Sequence, residues 1–142
     1  MFYSYAGTDY MVNVSARYSV LVEDTNLMAH EAEDVAWEMV ENALKNAGWE
    51  KVGDGYRHTD HNKFEIYETV EISPALMGGK RVVLDVNFEY HTVTKDVDDV
   101  FNDAVAEIED MDLPENITLL GTEQIDFIQT GEPVLIAHGD DV

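Results

Sequence analysis

The run Met11-Val12-Asn13-Val14-Ser15-Ala16-Arg17-Tyr18-Ser19-Val20-Leu21-Val22 decides the fold. Val12, Val14, Ala16, Tyr18, Val20 and Val22 fall on one side and Asn13, Ser15, Arg17 and Ser19 on the other. A period of two is the signature of a strand with one face buried and one face wet.

Outward from this strand, Glu23-Asp24-Thr25-Asn26 offers a helix N-cap. Apolar residues at Met28, Ala32, Val35, Ala36, Met39, Ala43 and Ala47 then keep the 3.6 period until Gly48, which predicts a first helix over about residues 27–47. Gly53-Asp54-Gly55 is turn chemistry, and Arg57 to Asn62 reads as a polar loop or a short ragged strand. Phe64, Ile66, Val70 and Ile72 share one face. After Ser73 to Lys80, Val82, Leu84, Val86, Phe88 and Tyr90 share another, the pattern of a long antiparallel hairpin. Thr94 is placed to cap a second helix over about 96–112, with Val97, Val100, Phe101, Ala104, Val105, Ile108 and Met111 on its apolar side and Leu113-Pro114 at its end. Residues 116–128 are β-rich, Val134 to Ala137 form a short last strand after Gly131-Glu132-Pro133, and 139–142 read as a frayed tail. The expected fold class is therefore α+β: a ferredoxin-like split βαβ plan, βαββαβ plus a short C-terminal strand, in one domain over 1–142. Both helices would cover one face of an antiparallel sheet.

The other sheet face should be polar, from Glu65, Thr69, Glu71, Asp85, Asn87, Glu89 and His91, with Tyr67 and Val83 marking a modest contact patch. A chain of 142 residues, 45% of them hydrophobic and only three Pro, has the apolar content of one ordinary core, so its charge does not imply disorder. The absence of Cys removes disulfides, thiolate catalysis and thiolate metal sites, and it fits a reducing compartment. Residues 1–7 carry no basic n-region or long apolar stretch, and no run approaches the ~20 apolar residues of a membrane span, so a soluble cytoplasmic protein is expected. The sequons at Asn13 and Asn116 are read as chance matches within strands.

Catalytic signatures are few. No phosphate-cradling glycine motif and no nucleophile elbow is present, and Ser4, Ser15, Ser19 and Ser73 have no adjacent His. Glu68 is the one acid that strict alternation places on the apolar side, between Ile66 and Val70, where burial would raise its pKa and suit it to proton transfer. His58, Asp60 and His61 offer two imidazoles and a carboxylate to a divalent ion, opposed by the flanking charges of Arg57 and Lys63. Asp96, Asp98 and Asp99 lack the glycine and the terminal Glu of a calcium loop. The expectation is a non-enzymatic protein without metal or cofactor.

Charge is the distinctive property. Thirty acids against eight bases give a formal charge of -22, which opposes direct binding to nucleic acid or anionic membranes and favours basic surfaces. Residues 96–142 hold 14 of the acids and no Lys or Arg. On the second helix Asp99, Asp103, Glu107 and Asp110 fall on one stripe; on the first, Glu31, Asp34, Glu38 and Glu41 do so, relieved by Lys45. Like charges at i,i+4 destabilise a helix by a few tenths of a kcal/mol each. Carboxylates at these intervals of ~5 Å are spaced like backbone phosphates. In charge and size the chain resembles the DNA-mimic inhibitors that phages and plasmids use against restriction and CRISPR systems. That resemblance implies an acidic decoy for a basic nucleic-acid-binding protein in the host cytoplasm; the helical spacing assigns the eight stripe carboxylates as its contact. The alternative is an assembly protein that forms a homodimer or larger homo-oligomer through its sheet, the charge serving solubility or salt adaptation.

Overall fold

Phe2–Val22 form β1, a 21-residue strand on which the sheet is registered. The computed structural model describes residues 2–52, 62–131 and 134–138, with side chains for 6–52 and 62–131. After β1 come helix α1 (Ala29–Asn46), the two-residue β2 (Glu50–Lys51), β3 (Lys63–Pro74) and β4 (Lys80–Thr94). A 3-10 turn at Val97–Asp99 leads into α2 (Val100–Glu109), followed by β5 (Ile117–Gln129) and β6 (Val134–His138). The strands lie in the order β2-β3-β4-β1-β5, and β6 pairs with β1. The result is an α+β fold with a mixed five-strand sheet and two helices. The sheet was expected to be purely antiparallel; β2, which the sequence reading did not contain, runs parallel to β3 and makes it mixed.

The β1–β4 ladder runs without a shift from Thr8 opposite Thr94 to Val22 opposite Lys80. Its alternation is the one read from the sequence: Val12, Val14, Ala16, Tyr18, Val20 and Val22 are buried with Val82, Leu84, Val86 and Phe88. Ala32, Ala36, Val40 and Leu44 of α1, and Val100, Ala104 and Ile108 of α2, join the same core cluster. Both helices therefore cover the same face of the sheet. Each fully buried Val or Leu contributes about 1.5–3 kcal/mol, so this layer carries most of the stabilisation. The β3–β4 turn uses Gly78 and Gly79 at φ 91° and 77°; a side chain at Gly79 would run into the Val22 carbonyl.

Several sequence expectations are corrected. Helix α1 starts from Met28, whose N–H donates to the Glu31 carboxylate at 3.0 Å, whereas Asp24 closes a local turn on the Asn26 N–H at 2.9 Å. Asp96, rather than Thr94, caps the second helical segment by accepting from the Asp98 N–H at 2.9 Å. Helix α2 ends at Glu109 and not near 112. Glu109, Asp110 and Asp112 add negative charge to the negative end of the helix, and Pro114 disfavours helical geometry at Leu113.

The largest correction concerns β3. Its register against β4 shifts twice, between Ile66 and Glu68 and between Thr69 and Glu71, which leaves Tyr67 and Val70 as bulge residues. Glu68 is thereby paired with Asp85 on the open face and is exposed, so the buried acid expected from strict alternation does not exist. Thr69, expected outside, lies on the helix side and accepts a hydrogen bond from the Trp37 indole N–H at 2.8 Å.

Tyr18 is fully buried, edge-on to Phe88 at a centroid distance of 6.4 Å, and its hydroxyl has no hydrogen-bond partner among the described residues. Burial pushes its phenol pKa well above the ordinary value. Replacing the hydroxyl by hydrogen removes a desolvated group that gains nothing in return. Tyr18→Phe is therefore expected to leave stability unchanged or raise it by up to ~1 kcal/mol, while Tyr18→Ala costs about 3–5 kcal/mol. Urea-unfolding midpoints check both; a clear loss in Tyr18→Phe would show that the hydroxyl is satisfied.

Candidate functional site

The eight stripe carboxylates divide into two unlike groups. On α1, Glu31 is spent on the first turn, and Glu41 accepts from Lys45 at 2.8 Å and from Lys51 at 3.1 Å. These two ammonium groups hold the Glu41 carboxyl below its ordinary range, the hydrogen bond from Lys45 being the largest cause. Asp34 and Glu38 remain exposed. The α1 stripe is thus half occupied by local structure.

The second group is uncompensated. Asp99 closes the 3-10 turn, Asp103 and Glu107 lie within α2, and Asp110 is its C-cap; all four are exposed. Among the described residues none of the four has an ion-pair partner. Asp103 accepts a long hydrogen bond from the Thr92 hydroxyl at 3.5 Å. The half-buried Tyr90 beside them has a raised phenol pKa, first from burial and then from the charges of Glu107 and Asp103.

Glu107 and Asp110 also line a cleft of about 480 Å³ with Asp112, Met111, Trp49, Ala47 and Asn46. Here the C-terminal ends of α1 and α2 come together, each adding the partial negative charge of its terminal carbonyls. Asp99 and Asp103 do not line it. Asp112 and Trp49 were not among the predicted site residues. Asp112 was visible only as one more acid, and nothing in the pattern around Trp49 marks it as a neighbour of α2.

On the opposite, open face of the sheet, the Arg17 guanidinium donates through Nε to Asp85 Oδ1 at 2.9 Å and through Nη2 to Asp85 Oδ2 at 3.1 Å. Asp85 raises the guanidinium pKa, with smaller contributions from Glu68 and Glu123. Of the patch expected there, Tyr67 is exposed and Val83 is buried, because the β3 bulge sets two side chains, Val70 and Glu71, against it. His58, Asp60 and His61 lie outside the described residues, as do the Gly53-Asp54-Gly55 turn and the tail at 139–142. No helix among the described residues is long and apolar enough to cross a membrane. Comparison with protein-family models, with curated proteins and with solved structures finds no match.

Two outcomes test this electrostatic description. The Asp103→Asn/Glu107→Gln variant is expected to lower the Tyr90 pKa while leaving it above 10.0, because burial remains. Ultraviolet phenolate titration reads this, and an unchanged value would show that the carboxylate field does not reach the ring. Glu41→Gln is expected to cost a few tenths of a kcal/mol at neutral pH, as for other exposed pairs. A carboxyl whose folded pKa is depressed contributes stability above its unfolded pKa and loses it as pH falls through the folded value. The difference between Glu41→Gln and the parent should therefore vanish below the ordinary carboxylate range, measured by chemical denaturation across pH.

Proposed function

We propose that this chain is a non-enzymatic acidic decoy that occupies the basic groove of a DNA- or RNA-binding protein in the cytoplasm. The observation that carries the reading is the uncompensated face of α2. Asp99, Asp103, Glu107 and Asp110 are exposed without an ion-pair partner among the described residues, and two of them continue into the acidic cleft at the helix C-termini. A Lys or Arg entering that cleft meets Glu107, Asp110 and Asp112 together with two helix ends, a stronger attraction than any single exposed carboxylate offers. Such a surface speeds encounter with a basic groove and competes there with nucleic acid. Asp34 and Glu38 extend it; Glu31 and Glu41 contribute less because they already have partners.

As to the fold, we read the sheet as the ferredoxin-like split βαβ plan. The antiparallel path β3-β4-β1-β5 and the placement of both helices on one face support that reading, with β2 and β6 as additions.

A homo-oligomer formed through the sheet is the second reading, favoured by the exposure of Tyr67 and Ile125 on its outer strands. Affinity capture from host lysate tests the first. Basic nucleic-acid-binding proteins are expected to be retained, to be released by duplex DNA, and to be lost when Asp99, Asp103, Glu107 and Asp110 are all changed to Lys. Retention by that variant would overturn the reading. Sedimentation at low and high salt tests the second, the decoy being expected to remain a monomer.

A further inference from the structure

The open face of the sheet is a trough with apolar sides. Its floor is the straight β1–β4 pair, where Asn13, Ser15, Asp85 and Asn87 present small or polar side chains. Its sides come from bulges on the two outer strands. Tyr67 is the extra residue of β3, and Ile125 is the extra residue of β5, where the register shifts between Asn13 and Val14. Both line the same space of about 460 Å³ and are 63% and 52% exposed, so each stands out from the face without a covering group among the described residues. A second hollow of about 250 Å³ over Ser15, Arg17 and Gly121 continues it along β1.

Dimensions and charge restrict what fits. From β3 to β5 there are three interstrand spacings, about 14 Å, which admits one α-helix with its side chains, about 10–12 Å across. Asp85, Glu123 and Asp126 line the trough and Glu68 adjoins it, against the single guanidinium of Arg17. Arg17 is held by Asp85, and Asp126 accepts from Asn13 Nδ2 at 2.6 Å, so the carboxylates at the sides are oriented. A second copy of this chain would set these carboxylates against their own kind. Nucleic acid is repelled and supplies no apolar side chains. A helix with Lys or Arg on its flanks and aliphatic side chains between them satisfies both the charge and the Tyr67 and Ile125 sides.

We propose that this trough docks a cationic amphipathic helix of a partner protein, at a site separate from the acidic face of α2. The two faces lie on opposite sides of the sheet, separated by at least the ~10 Å of a packed layer, beyond the ~8 Å Debye length at physiological salt. They can therefore be tested independently.

The experiment uses the full chain and, as probe, a synthetic Lys/Leu amphipathic peptide of about 14 residues, roughly 21 Å of helix. Binding is followed by heteronuclear NMR and calorimetry at about 150 mM salt. The expected result is saturable binding with shifts at Ser15, Tyr67, Asp85 and Ile125. Tyr67→Ser/Ile125→Ser should weaken it about tenfold, as for loss of central apolar contacts. Glu123→Gln/Asp126→Asn should weaken it and flatten its salt dependence, whereas Asp103→Asn/Glu107→Gln should leave it within about twofold. All substituted side chains are at the surface, and an unchanged backbone spectrum confirms that each variant folds. The proposal is overturned by absence of binding, by shifts confined to α2, by equal binding of a Glu/Leu counterpart, by insensitivity to the trough variants, or by self-association that covers the trough. Loss of the decoy activity with retention of peptide binding would sink only the helix-face reading.

Discussion

β4, β5 and β6 all pair with β1, β3 joins the sheet through β4, and β1 carries a single acid, Asp9, in 21 residues. That constraint lets a chain with 30 acids fold. The even positions of β1 from Val12 to Val22 lie beneath both helices, and among the described residues no carboxylate is buried; the buried polar or charged residues there are Thr8, Ser19 and Lys63. Each buried Val or Leu contributes about 1.5–3 kcal/mol, whereas each like-charged pair on a helix costs a few tenths. Repulsion confined to the surface is therefore outweighed by burial within it.

The same comparison explains why the helices differ. Helix α1 has 18 residues, with Lys45 and Lys51 neutralising Glu41 and Glu31 serving its first turn. Helix α2 has ten residues, no cation, and acids at both ends. A helix that short is marginal by itself in water, so its existence rests on Val100, Ala104 and Ile108 against the sheet. Asp99 and Asp103 stand at the positive end of the helix, where a carboxylate is favourable, whereas Glu107 and Asp110 lie toward its negative end, where acidity makes the helix harder to maintain. The proposed decoy reading draws on that cost at the C-terminal end of α2.

Alternation was legible where a strand runs straight. For β1 and β4 the residues assigned to the core are buried, Tyr90 half so, and both helices fall where their periodicity put them to within a few residues. It failed on β3, because a bulge inserts a residue without changing the composition around it. Phe64, Ile66 and Ile72 were correctly placed, but between the bulges at Tyr67 and Val70 the faces exchange, and Glu68 passed from an apparent buried acid to an exposed one. β2 was too short to leave a pattern. The acidic stripe of α2 was legible as helical geometry; its continuation into a cleft with Trp49 and Asp112 was not, since it depends on how two helix ends meet.

The bulges that defeated the reading also give the open face its character. A sheet face built by strict alternation beside this core would be polar apart from Tyr67 and Val83. Extra residues on β3 and β5 stand Tyr67 and Ile125 at the sides of a polar floor flanked by Glu123 and Asp126, so contact there joins apolar burial to charge. Outside the cleft at its end the α2 face offers exposed carboxylates, and screening weakens contacts made by charge alone as salt rises. Apolar burial is insensitive to that screening. Under the two proposals the faces would therefore select for different partners: one read by field and spacing, the other requiring a shape that fills the trough as well as a positive charge.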